Sequence, residues 1–273
     1  MSSGTSPISS DAVDRGPGGL LEAVDDALRD GEPLLAHDLA RQALADGSED
    51  LRLEHRLVLA LARSGAVHRA ESELARRDLV GRVAEAEPVL QEDVLALRAR
   101  LAKDRALAAT GSDRRRLAAD ASARYEEAAR PGGTAYPLVN AAVLALVAGD
   151  EVAARRLADE ALLVEPQDGG YWALASRAEA AAVLGEHEQV EQALDGARAL
   201  DAPVAWRAAT RRQFRLLADA TDGGADLVDL LPVPAVIHYT GHRLRYEPGS
   251  VDRLRARIDE VLDSLGVGVG HGS

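Results

Sequence analysis

Residues 134–166, TAYPLVNAAVLALVAGDEVAARRLADEALLVEP, decide how the chain folds. They read as two helices hinged at Gly149. The first is apolar at nearly every position from Leu138 to Ala148 and is interrupted by Asn140; the second sets Ala154 and Ala161 among charged residues, and Pro166 follows it. A glycine just past a helix end takes the left-handed conformation at little cost, and a proline shortly after a helix stops it. The same punctuation recurs along the chain. Gly31 and Gly65 lie 34 residues apart, and Gly149 and Gly185 lie 36 apart. Five residues after these glycines stand Ala36, Ala70, Ala154 and Val190; twelve after them stand Ala43, Arg77, Ala161 and Ala197. Pro203 lies eighteen residues after Gly185. Small residues at fixed offsets from a turn allow close helix approach, and a period near 34 indicates stacked helix pairs.

This pattern resembles the tetratricopeptide repeat, with the glycine between helices A and B and a proline closing each unit. The match is best over 134–166, fair over 20–46 and 168–203, and degenerate over 50–78, where Arg77 replaces a small residue and predicts looser packing. Between them, 88–130 predicts two longer helices. Leu90, Val94, Leu97 and Leu101 form one apolar stripe; Leu117, Ala121 and Tyr125 form another, and Pro131-Gly132-Gly133 ends the second helix. Ten or eleven helices are expected from 20 to 219, arranged as an α-α superhelical solenoid, so the fold class is all-α.

Composition agrees. Alanine fills 53 positions and leucine 39, whereas aromatic residues make up 3%, which suits close helix packing and not a β-sandwich. With no cysteine, disulfides, thiol catalysis and Cys-ligated metal centres are excluded. The single lysine, Lys103, fits no phosphate loop and reads as a solvated helix residue. A net charge of −13 argues against a nucleic-acid footprint. The longest apolar run, Leu138 to Ala148, is far short of the roughly 20 residues of a membrane span. Residues 1–18 read as a disordered tail with no secretory signal, so a cytoplasmic protein is expected.

After residue 222 the character changes. Residues 223–234 read as a Gly- and Pro-containing linker. Ala235 to Tyr239 reads as a buried strand, Thr240-Gly241-His242 as the turn after it, and 250–265 as a helix with Ser250 at its N-cap. Residues 235–273 are therefore expected to begin a truncated α/β element of parallel type; the alternative is a C-terminus that packs a hairpin or single strand on the array.

The run Leu95 to Ala106, then Tyr125-Glu-Glu-Ala, Tyr136-Pro-Leu-Val-Asn-Ala-Ala, Tyr171-Trp172-Ala-Leu-Ala, Arg211 to Leu217 and Val236 to His242, resembles the tetratricopeptide-type sensor region of bacterial signalling and conflict-system proteins. That module is in turn similar to the TRAF-binding central region of apoptosis-signal-regulating kinases. The resemblance implies a regulatory sensor or scaffold fused to an effector. It also implies that the Thr240-Gly241-His242 turn opens a Rossmann-like domain.

No catalytic motif is present: there is no Gly-x-Ser-x-Gly, no His-Glu-x-x-His and no Gly-Lys phosphate loop. His187-Glu188 lacks a second histidine, and His238 and His242 lie too far apart on a strand to share a metal. Neither a metal nor a cofactor is expected. Candidate ligand-binding residues are Tyr136, Asn140, Tyr171, Trp172 and Arg177 on A helices, which line the concave face of such arrays, and Thr240, Gly241 and His242 past the strand end, where α/β sheets bind ligands. The alternative for Trp172 and Asn140 is packing and backbone bridging; for the Arg155-Arg156 and Arg211-Arg212 pairs it is balancing nearby carboxylates. The expected function is a non-catalytic sensor or scaffold that binds a protein, peptide or nucleotide-derived ligand and regulates an attached domain. The alternative is the regulatory part of a nucleotide-processing enzyme, for example a cyclase, whose catalytic region lies beyond this chain.

Overall fold

The computed structural model describes residues 17–164, 169–221, 228, 238–240 and 243–245. Among these residues the chain forms twelve helices: α1 (Pro17–Arg29), α2 (Pro33–Ala45), α3 (Leu51–Arg63), α4 (Val67–Arg76), α5 (Leu79–Arg82), α6 (Pro88–Ala108), α7 (Gly111–Gly132), α8 (Ala135–Ala148), α9 (Glu151–Val164), α10 (Tyr171–Leu184), α11 (His187–Ala199) and α12 (Val204–Ala220). Consecutive helices up to α11 pack against one another, and α4 also packs on α6 across the short α5. Gly149 shows why the turns fall where they do. Its φ is +89°, its N–H donates to the Leu146 carbonyl, and the Asp150 N–H donates to the Ala145 carbonyl, each at 2.9 Å. These bonds satisfy the last carbonyls of α8 while reversing the chain. Gly31, Gly65 and Gly185 take the same left-handed conformation.

Ala36, Ala43, Ala70, Ala154, Ala161 and Ala197 are all buried at helix contacts. Two apolar cores result, and α6 is the wall between them. Val94, Leu97 and Leu101 face the N-terminal core; Ala96, Ala99 and Ala106 face the C-terminal one. The Glu92 carboxylate fixes the start of α8, accepting from the Thr134 backbone N–H at 3.1 Å and from the Thr134 hydroxyl. A Cβ at Gly132 would run into that carboxylate.

The degenerate unit departs from the repeat where Arg77 stands. Helix α4 stops at Arg76, Asp78 turns the chain with φ +46°, and the one-turn α5 follows. The buried Glu54 carboxylate accepts from Arg77 at 3.2 Å and from Arg82 at 2.9 Å. A charged seam thus replaces the small residues found elsewhere, since a buried carboxylate is tolerated only when paired.

Two expectations are corrected. Lys103 is not a solvated residue: it is half-buried and hydrogen-bonded within the inner wall. The Rossmann-like α/β element is not supported either. His238–Thr240 (β1) pairs antiparallel with Arg243–Arg245 (β2), with His238 opposite Arg245. Two intervening residues allow only this pairing, because parallel strands need a crossover of about a dozen residues or more. The expected helix at 250–265, most of the N-terminal tail and all of the linker but Val228, which packs on the C-terminal core, lie outside the described residues.

Candidate ligand-binding groove

The A helices α6, α8 and α10 turn one polar residue each to a shared inner wall: Lys103, Asn140 and Glu179. Helix α12 adds a fourth, Gln213. The Lys103 ammonium donates to Asn140 Oδ1 at 2.8 Å and to Gln213 Oε1 at 2.7 Å. Asn140 Nδ2 donates to the Tyr136 carbonyl at 3.0 Å. Burial pushes the Lys103 pKa down, opposed by the Glu179 charge; burial pushes the Glu179 carboxyl up, opposed by Lys103. Burial outweighs the mutual attraction for both groups, so each charge only partly offsets the cost of the other.

Helix α12 does not extend the stack. It lies against α8 and α10, and its side chains reach α6. Phe214 and Leu217 enter the C-terminal core, and Arg212 comes within 3.8 Å of Asp104 on α6. At its N-terminal end Ala205 approaches the α1–α2 turn, 3.6 Å from where a Cβ of Gly31 would sit. There Trp206 packs on the α10 aromatics, 5.9 Å from Tyr171 and 5.2 Å from Trp172 between ring centroids. The Tyr171 hydroxyl donates to Thr210 Oγ1 at 3.1 Å.

A second stretch of inner wall runs from α3 to α8. Arg63 keeps solvent access although protein crowds most of its sides, as expected for a side chain on a concave wall. Its guanidinium donates to the Leu28 carbonyl at 3.0 Å. Burial, then the charge of Arg100, lowers its pKa to about 10, and Tyr136 is among the groups close enough to act on it. The Tyr136 ring, 47% exposed, meets the buried Tyr125 ring edge-on at 6.3 Å. Behind this wall His55 is fully buried. Its Nδ1 accepts from Arg56 Nη1 at 2.7 Å, and Arg56 also bridges Asp25 at 2.6 Å and Asp93 at 3.1 Å. Burial, followed by the Arg56 charge, holds the His55 pKa down at about 4.

Of the residues singled out in the sequence, Asn140, Tyr171 and Trp172 are brought together, but by α12: through Gln213, Thr210 and Trp206 respectively. Tyr136 stands apart on the open wall. Arg177 lies on α10 and is engaged in an interaction of its own. Gly241 and His242 are outside the described residues, and Thr240 is placed only as the last residue of β1. Arg156 bridges Glu126 at 2.9 Å, so it balances a carboxylate. Sequence reasoning misses Arg63, Arg100, Lys103, Glu179 and Gln213. The one available signal is Glu179, an acidic residue amid the apolar pattern of α10. Among the described residues no cluster of three or more His, Asp or Glu is arranged to hold a metal, and no helix is long and apolar enough to cross a membrane.

Residues 34–145 match the family described as Tetratricopeptide Repeats-Sensor. Among solved structures, TTC0263, a thermophilic tetratricopeptide-repeat protein of Thermus thermophilus, is similar with a TM-score of 0.56 at 14% identity, over 73% of this chain and 100% of that one. The fold is a tetratricopeptide-repeat solenoid. The tetratricopeptide domain of P58(IPK) aligns over 75% of this chain and 57% of its own at 16% identity, with a TM-score of 0.28. No curated protein matches the chain. The family match over residues 34–145 supports a tetratricopeptide-type sensor or scaffold module.

Proposed function

We propose that the solenoid is a sensor scaffold that binds an anionic partner on its inner wall and passes the event to the segment after α12. The observation that carries this reading is the Arg63–Arg100–Tyr136 stretch. The solvent-accessible Arg63 guanidinium donates to a backbone carbonyl and feels the Arg100 charge, only partly offset by Asp104 at 3.9 Å from Arg100, and the half-exposed Tyr136 ring is close enough to act on it. A carboxylate or phosphate placed there would relieve the repulsion and gain charge-assisted hydrogen bonds, while Tyr136 offers a flat surface to a side chain or base. Acidic peptides and nucleotide-like ligands both meet that description. The sequel is mechanical: α12 rests on the same wall and leads directly into residues 221 onward, so a change in the wall reaches that segment through one helix.

The test is calorimetric titration of the chain with an acidic peptide and with a nucleoside triphosphate, repeated with Arg63→Ala and Tyr136→Ala. The expected result is binding of one probe that weakens at least about tenfold in each variant. Equal binding in the variants, or no binding of either probe, overturns the reading.

A further inference from the structure

We infer that α12 is an exchangeable occupant of the groove, seated where a partner's amphipathic helix docks, so that partner binding and α12 release are one event. The inference rests on the reading above that the inner wall is a binding surface, and it adds what kind of segment the α6–α8–α10 part accepts.

Three observations support exchange. First, α12 is not the next rung of the solenoid: after α11 the chain returns to α8 and α10 and crosses to α6. Second, the seat is mixed: an aromatic stack of Trp206 on Tyr171 and Trp172 and a short apolar patch flank a set of polar contacts. Gln213 meets Lys103 and Asn140, Thr210 meets Tyr171, and Arg212 faces Asp104, while the buried apolar residues of α12 are Phe214, Leu216 and Leu217 alone. Polar groups on the wall can be satisfied by water or by another helix when α12 leaves. Third, Lys103 keeps Asn140 Oδ1 after release, so its ammonium loses one acceptor of two. The seat specifies the partner's chemistry: a helix with an amide and an aromatic side chain adjacent, as Gln213 and Phe214 are, and an apolar residue one turn on, as Leu217 is. Such helix-in-groove recognition reads anchors at helical spacing.

The chain carries its own reporter. Its two tryptophans are Trp172 on α10 and Trp206 on α12, with ring centroids 5.2 Å apart. Release of α12 separates them. The experiment titrates the whole chain with a synthetic peptide of residues 204–220 bearing Trp206→Phe, which is silent in tryptophan emission. The expected result is a saturable change in tryptophan emission and in the near-ultraviolet exciton signal, with amide exchange speeding up at 204–220 of the chain while α8 stays protected. A chain bearing Gln213→Ala, which weakens the seat from within, should take the peptide about tenfold more tightly. The proposal is overturned by an unchanged tryptophan signal at millimolar peptide, by peptide binding that leaves the two rings together, or by amides of α12 that exchange as slowly as those of α8. Arg63→Ala and Tyr136→Ala should leave this exchange intact. Loss of acidic-ligand binding alone therefore defeats the proposed function, and loss of exchange alone defeats this inference.

Discussion

Helices α8, apolar almost all round, and α12, amphipathic, belong to one array and are opposite in attachment. Ten of the 14 residues of α8 are buried, all but Asn140 apolar, and it is flanked by both hairpin partners. Five of the 17 residues of α12 are buried, two of them polar. Apolar burial contributes about 1.5–3 kcal/mol per large side chain, so α8 is held far more strongly than α12. The difference shows that a solenoid can keep one helix on a short tether without loosening the stack, because the stack's cohesion comes from α6 through α11 and not from the helix that crosses them.

The largest expected effect tests the rigid side. Leu144→Ala, at a fully buried position of α8, should cost about 2–5 kcal/mol and lower the single cooperative transition seen by circular dichroism. Two separate transitions would mean that the cores on either side of α6 do not fold together. Phe214→Ala removes a comparable volume, yet its loss of about 3 kcal/mol should fall on α12 alone. Amide exchange should accelerate over 204–220 while the main transition moves little; a matching drop in global stability would erase the contrast between the two helices.

Acidity probes the N-terminal core. His55 is neutral when folded, with a pKa near 4 against about 6.5 in the unfolded chain. The unfolded state then binds the extra proton, so stability falls as pH drops from about 6.5 toward about 4, by up to roughly 3 kcal/mol. Denaturant midpoints of the native chain and of His55→Gln should diverge above pH 6 and converge below; parallel curves would refute the assignment. Glu92→Ala removes the acceptor for the Thr134 backbone N–H and should cost about 1 kcal/mol by denaturant titration, as loss of a helix cap does. At the small end, Leu163→Ser on the exposed face of α9 should change stability by less than about 0.5 kcal/mol. A larger loss would show that this face is covered.

The rungs of the solenoid are legible in the sequence because they are local. Gly149 and Ala154 lie five residues apart, and a turn and its close-packing alanine need nothing from elsewhere in the chain. Arg77 is legible as a departure, although its remedy, the Glu54 seam with Arg82, is not. Lys103 misleads for a related reason. Its partners Asn140, Glu179 and Gln213 all lie far along the chain, and a lone lysine in a helical pattern is ordinarily solvated. The strand reading misleads because a short β-branched run does not declare its partner, and here the partner of His238–Thr240 begins at Arg243, with two residues between them.

The sequence by itself determined the helix pairs, their turns and the alanine seams between them, since period and turn chemistry act within about 34 residues. Only the tertiary structure decided that α12 turns back across α6, α8 and α10, that Asn140, Tyr171 and Trp172 hold it there, and that Arg63 and Tyr136 remain on the open wall. The amphipathic pattern of α12 would be the same whether it continued the stack or crossed it. What chooses between them is which distant side chains satisfy its polar face, and here Lys103 and Tyr171 do so for Gln213 and Thr210.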